Sequence, residues 1–406
     1  MPTTTHTLLA TTGASPQVVT ETLYAIHHEN LQWPDDIYLI TTSFGKKRAI
    51  EGLLHQHHLQ RLCTQLNRPT PAFDGSHVLV TPGADGSAVE DARSLQDHEA
   101  LANFIMTEVR NLTAQPRASL HASLAGGRKT MTFYLGYAMS LFGQAQDTLS
   151  HVLVSDGYET LPDFWFPTAE SSIVKNSRGE EMDANLAKIT LAPIPFIRHR
   201  FNLPKVLLQD NEVVQFSDLV QLINLGENLD SLRIVVDPPQ KTIRVESTES
   251  QLSIPFQPGP LEMAFYSMMA RGTREGEHDL TRPDKPDRGL SHELMRELMP
   301  ICAQPYDDEN LANNIAKLKD WNITNPSFKE DTFDVLATGI TRSWFDSRKN
   351  TLVEMFSKKL PGSLVRRVAP SIIWSGSQRI TPGDMTRVPK GGGYGIDIKP
   401  ENIIIN

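Results

Sequence analysis

Residues 118–131 read ASLHASLAGGRKTM: a short run with Leu120, Ala122 and Leu124 alternating, broken at Gly126-Gly127, then resuming as an amphipathic segment. A strand that turns on two glycines into a helix is the repeating unit of a parallel α/β sheet. The unit recurs on both sides. Residues 6–12 (HTLLATT) predict a strand, followed by Gly13-Ala14-Ser15 and Pro16, a favoured first residue for a helix over 16–28. Strands are also predicted over 36–42, 77–81 and 149–154, and helices over 46–66, 96–111 and 129–141. Within 96–111, Leu101, Phe104, Ile105 and Val109 fall at helical spacing. Apolar strands alternating with helices predict a Rossmann-like, doubly wound parallel sheet covered on both faces. The first and fourth strands of such a sheet are neighbours, and ligands bind in the crevice at their carboxyl ends. That rule selects two loops, residues 11–17 and 125–130.

The rest of the composition bounds the partners. The 406 residues suit two or three domains, and 39% apolar with 21% charged residues is globular composition. The 25 glycines and 27 prolines punctuate turns without a collagen-like period. A net charge of −9 disfavours a non-specific nucleic-acid coat but not a small anion in a local basic pocket. Cys63 and Cys302 form no C-x-x-C pair, so neither a disulfide framework nor a thiolate zinc site is expected. The first residues lack the basic region of a secretory signal, and no apolar run reaches the length of about 20 residues that crosses a bilayer. A cytoplasmic protein with no membrane partner is expected.

The two loops differ in chemistry. Gly126 and Gly127 let backbone approach a ligand closely, and Arg128, Lys129 and the first helical N–H groups, at Thr130 onward, then suit an anion such as phosphate. The ordinary alternative is a tight turn with solvated cations; its place at the switch point favours binding. It is no Walker A loop, since Gly127-Arg128-Lys129-Thr130 lacks the preceding glycine at the required spacing. The first loop lacks G-x-G-x-x-G, which disfavours a dinucleotide. It offers the hydroxyls of Thr12 and Ser15 and the amide of Gln17, and the bland alternative is N-capping by Ser15.

On residues 10–23 (ATTGASPQVVTETL), 120–143 (LHASLAGGRKTMTFYLGYAMSLFG) and 149–155 (LSHVLVS), the chain resembles the CRISPR-associated Rossmann-fold (CARF) proteins of the ring-nuclease type. Residues 161–167 (LPDFWFP) and Glu90-Asp91-Ala92-Arg93 are similar to further segments of that family. The resemblance covers residues 1 to about 200. It implies a domain of type III CRISPR antiviral defence that binds cyclic oligoadenylate, tetra- or hexa-adenylate, across the axis of a homodimer. Some members cut the ring by attack of a ribose 2′-hydroxyl on the neighbouring phosphate, giving linear products with 2′,3′-cyclic phosphate, with no metal and no cofactor. Carried onto this sequence, Arg128, Lys129 and Ser15 are the catalytic candidates. Thr11, Thr12, Gly13, Gln17, Gly126, Gly127 and Thr130 are the ligand-binding candidates. Asp91 and Arg93 are candidates for contacts to adenine or to the opposite subunit. No general base stands out; His121, on the fourth strand, reads as structural.

Past a basic stretch at Arg198-His199-Arg200 the resemblance fades, which divides the chain into a CARF domain over 1–200 and a mainly helical, winged-helix-like domain over 201–406. Residues 187–195 predict a last strand before the boundary. Beyond it, helices are predicted over 217–225, 260–270, 291–302, 309–321, 333–344 and 349–359. A hairpin is predicted over 232–236 and 241–245, and strands at 371–374 and 394–398. The ending GGGYGIDI is similar to the last wing strand of a winged helix. Arg342, Arg348, Lys349, Lys358, Lys359, Arg366 and Arg367 concentrate positive charge, as a solvated face or a DNA- or RNA-binding one. The alternative to a ring nuclease is a messenger-activated effector, either a winged-helix DNA-binding regulator or a HEPN ribonuclease. The HEPN reading needs an Arg and a His on one helix; Arg271 and His278 are the best pair, but Gly272 and Gly276 argue for a loop there. Of His55, His57 and His58 only the first and last share a helical face, so no metal site is expected.

Overall fold

The computed structural model describes residues 5–83, 85–90, 94–114, 118–159, 161–175, 178–204, 216–380 and 391–406. Its chain forms two compact units, the first reaching Leu203 and the second running from Asp218 to Asn406.

The first unit is built on β1 (His6–Thr11), α1 (Gln17–His28), β2 (Asp36–Thr41), α2 (Ser43–Ala49), α3 (His58–Gln65), β3 (Val78–Val80), α4 (Leu95–Leu112), β4 (Ser119–Ser123), α5 (Lys129–Phe142) and β5 (Thr148–Val154). After β5 come a small hairpin, β6 (Ile173–Lys175) with β7 (Glu181–Asp183), and β8 (Ile189–Pro193). The main sheet has the order β3-β2-β1-β4-β5-β8, parallel throughout except for the antiparallel edge strand β8. This is a doubly wound α/β sheet, and its order reverses between β1 and β4. Every residue of β1 is buried, because helices cover both faces; that is why the strand is apolar along its length rather than alternating. Leu8, Ala10, Leu23, Ile37 and Leu39 meet in the core below the sheet's carboxyl edge. A capping box between Ser94 and Asp97 starts α4.

The single helix predicted over 46–66 is corrected to three pieces. A π-helical turn, Ile50–His55, follows α2, and the chain then breaks at His57, whose φ of 59° is left-handed, before α3. The wide turn coincides with the place where the Trp165 ring closes on Gly52: a Cβ there would lie 2.1 Å from the indole. The β6–β7 hairpin had no signal, since its short strands are largely exposed and carry no apolar alternation.

The second unit takes in α6 (Phe216–Leu225) from Asp218 onward, then the strands β9 (Leu232–Asp237), β10 (Thr242–Ser247) and β11 (Ser253–Phe256). Helices α7 (Pro260–Glu275), α8 (Arg288–Ile301), α9 (Leu311–Thr324), α10 (Glu330–Thr338), α11 (Arg342–Ser357) and α12 (Gly362–Val368) follow. A three-stranded antiparallel sheet of β12 (Ser371–Ser375), β13 (Gln378–Arg379) and β14 (Gly393–Gly395) comes next. The last strand, β15 (Ile403–Ile405), pairs parallel with β9 and completes the sheet β11-β10-β9-β15. The core centres on α7, where Phe265 and Tyr266 are fully buried against Phe345 and Phe356 of α11.

The region is mainly helical, with two corrections. The helix expected over 333–344 stops at Gly339, whose φ of 121° and whose approach to Asp287 (2.7 Å from a Cβ to the amide nitrogen) admit only glycine. The helix expected over 260–270 runs through Gly272 to Glu275 and ends on Gly276 at φ 77°, so only the second glycine marks a turn.

Candidate ligand-binding site

The site begins where β1 and β4 end. Thr11 Oγ1 donates to the carbonyl of Gly126 at 2.6 Å and ties the first loop to the fourth-strand loop. Gly126 is held so close that a Cβ would lie 3.0 Å from the Thr11 carbonyl oxygen, and Gly127 sits at φ 92°. The other hydroxyl, Thr12 Oγ1, donates to the carbonyl of Ser15 at 3.0 Å and shapes the first loop from within. Both threonines are fully buried. The loops thereby bring the starts of α1 and α5 to the same edge of the sheet.

Neither helix start is capped by a side chain. Pro16 is the N-cap of α1 and Arg128 that of α5, and Ser15 is exposed instead of capping, which corrects the bland reading of that residue. The first N–H groups of each helix lack intrahelical partners and carry the positive end of the helix dipole. Arg128 and Lys129 add two exposed cations at the start of α5. Thr130 is half-buried, with its hydroxyl oxygen buried and without a hydrogen-bond partner.

Below the loops lies a cavity of about 510 Å³. Gly13, Ser15, Gln17, Gly126 and Gly127 line it, so five of the predicted residues meet there. Thr11 and Thr12 lie behind its wall, and Arg128, Lys129 and Thr130 do not line it. Asp91 and Arg93 lie outside the described residues.

Four charged or titratable residues of the cavity had not been singled out: Glu21, Arg48, His151 and Glu159. Glu21 is only 6% exposed, and burial, followed by the charge of Glu159, pushes its carboxyl up to about 7. One signal for it was available: Gln17 and Glu21 stand four residues apart, a polar pair on one face of α1, a helix that buries Val19, Leu23 and Ile26 on its opposite side. Arg48 had none, because only the tertiary fold brings α2 to the crevice. Gln17 Nε2 donates to the Pro162 carbonyl at 2.9 Å, while its Oε1 is buried with no partner.

The remaining candidates resolve locally. His121 is buried with Nε2 2.7 Å from Ser150 Oγ, and burial, then His6, pushes it down to about 4, so it is a neutral structural group. His58 stacks on Trp165 at 4.0 Å and His55 meets Glu51 at 3.1 Å; among the described residues no three His, Cys, Asp or Glu side chains gather as a metal site would require. Cys63 and Cys302 are buried free thiols. Arg271 pairs with Glu297 at 2.7 Å on α7, while His278 lies beyond the helix end. Of the basic concentration, Arg348 pairs with Glu262, Arg367 with Asp397, and Arg342 with Asp284, while Lys359 donates to the Pro255 carbonyl. Among the described residues no helix is long and apolar enough to cross a membrane.

A family model described as CRISPR-associated protein NE0113 matches residues 15–224. No curated protein sequence matches the chain. Among solved structures it is similar to protein VC1899 from Vibrio cholerae, at 8% identity and a TM-score of 0.21, over 86% of this chain and 67% of that one. It is also similar to Enterococcus italicus Csm6 bound to cyclic hexa-2′-fluoro-hexa-dAMP, at 9% identity and a TM-score of 0.25, over 87% of this chain and 63% of that one. The chain therefore spans roughly two thirds of the length of these two proteins.

Proposed function

The chain belongs to the CRISPR-associated protein NE0113 family, and from that premise we propose that residues 1–200 bind a cyclic oligoadenylate of type III CRISPR defence and open the ring. The reading rests chiefly on one observation: two helix starts without side-chain caps stand at the β1/β4 switch point beside Arg128 and Lys129. Donor groups and cations at one sheet edge are what a phosphodiester needs, and nothing there resembles a dinucleotide fingerprint.

Opening the ring breaks one P–O bond and forms another. A ribose 2′-oxygen attacks the adjacent phosphorus, its proton is lost, and the 5′-oxygen leaves and gains a proton, so a 2′,3′-cyclic phosphate remains. Arg128 and Lys129 balance the charge that grows on the phosphoryl oxygens. The exposed Ser15 hydroxyl and the glycine backbone at 126–127 hold the phosphate so that attacking and leaving oxygens stay in line. Thr11 and Thr12 act one step back, by fixing the two loops. A homodimer presents two such edges to one ring, in the cytoplasm. No enzymatic role is assigned to residues 201–406; Arg271 pairs with Glu297 and α7 ends before His278, so that one candidate pair does not share a helical face.

Incubation of the purified protein with cyclic tetra- and hexa-adenylate in EDTA tests this. Linear products ending in 2′,3′-cyclic phosphate are expected, and an intact ring would refute the reading. Arg128→Ala or Lys129→Ala should each slow opening by about tenfold or more without lowering Tm. His278→Ala should leave the rate unchanged.

A further inference from the structure

We propose that Gln17 and Glu21 select adenine by its Watson–Crick edge, the exocyclic amine donating to Gln17 Oε1 and ring N1 accepting a hydrogen bond from the Glu21 carboxyl. The inference rests on the ring-binding reading above and assigns that site its base specificity.

The geometry supplies an acceptor beside a donor. Gln17 is 8% exposed, and its Nε2 is held by the Pro162 carbonyl at 2.9 Å. The amide therefore cannot turn over without losing that bond, and its buried Oε1 is left as an acceptor with no partner. Such a group is costly to bury unless a ligand satisfies it. Glu21 lies one turn further along the same face of α1, also on the cavity wall. Glu159 lines the same cavity, and burial followed by its charge raises the Glu21 carboxyl to about 7, which leaves it partly protonated at neutral pH.

Adenine matches this order: its N6 amine donates and its N1 accepts. Hypoxanthine reverses both, with an O6 acceptor and an N1–H donor. Bases taken out of a strand are read in this manner, by the Watson–Crick edge with apolar side chains against the ring faces. Val18, Val152, Leu161 and Phe164 provide such walls. The cavity volume of about 510 Å³ lies within the range of small-molecule sites. Besides Glu159, the charged or titratable groups facing the cavity are Arg48 from α2 and His151 from β5.

The test uses 2′-deoxy rings, which lack the attacking hydroxyl and so stay intact. Affinities of cyclic deoxyadenylate and cyclic deoxyinosinate are measured at about pH 6.5 and about pH 8.5, for the wild type and two variants. In the wild type at the lower pH, adenine should be preferred by about 30-fold or more. Because the neutral carboxyl is the donor, adenylate affinity should fall by about tenfold as pH rises through 7. Glu21→Gln keeps a donor at every pH, so it should retain the preference and lose the pH dependence; Glu21→Leu should lose the preference. Equal binding of the two rings, or a wild-type pH slope persisting in Glu21→Gln (as titration of His151 would give), overturns the inference while leaving ring binding intact. A protein that binds neither ring at either pH overturns the ring-binding reading, and this inference with it.

Discussion

Glu21 shows at residue scale what the site costs the fold. Its carboxyl is raised from an ordinary 4.5 to about 7, with burial the larger cause and Glu159 the second. The folded state therefore binds the proton more tightly than the unfolded chain. The sign follows: stability from this group is complete below about pH 4.5 and lost as pH rises to about 7, amounting to roughly 3 kcal/mol. Denaturant unfolding at about pH 5 and pH 8 should show that loss in the wild type and a much smaller one in Glu21→Gln. Gly52 makes a different demand. Its Cα lies under the Trp165 ring, so Gly52→Ala should lower stability by about 1–3 kcal/mol, seen as a lower Tm with little change in ring affinity. The glycines at 126 and 127 were legible, because they follow a strand and precede a helix. Gly52 was not: its reason is a ring 113 positions away in the chain, which no local pattern records.

At the scale of elements, periodicity located β1, α1, β4, α5 and β5 within a residue or two, since each is long enough to show its own pattern. It failed where an element is short or is stopped by a tertiary contact. The 46–66 helix breaks at a left-handed His57, and the 333–344 helix stops where Gly339 meets Asp287. The strand β15 is three isoleucines long, too short to read as a strand, yet it pairs with β9 and buries Ile403. Deleting residues 403–406 should destabilise the second unit by about 2–5 kcal/mol, measured by denaturant unfolding, and leave ring opening by the first unit unaltered. Equal stability with and without the segment would remove β15 from that core.

At the scale of the whole molecule, each unit has its own hydrophobic core, so each should unfold by itself. A chain ending at residue 217 is expected to show one cooperative denaturant transition, and the full chain two transitions or one broadened beyond it. The net charge of −9 is compatible with anion handling because a local pair of cations, Arg128 and Lys129, stands at the start of α5 on the carboxyl edge of the sheet. The parallel α/β class, the β1/β4 crevice and the glycine and cation chemistry of its two loops are legible in the amino-acid sequence, because each is written in contiguous residues. Which groups line the cavity follows from folding contacts alone. Thr11 and Thr12 lie behind its wall, while Glu21 from α1, Arg48 from α2, and His151 and Glu159 from β5 and the turn after it line the cavity. Burial and charge depend on neighbours in space, and those neighbours are distant in the chain.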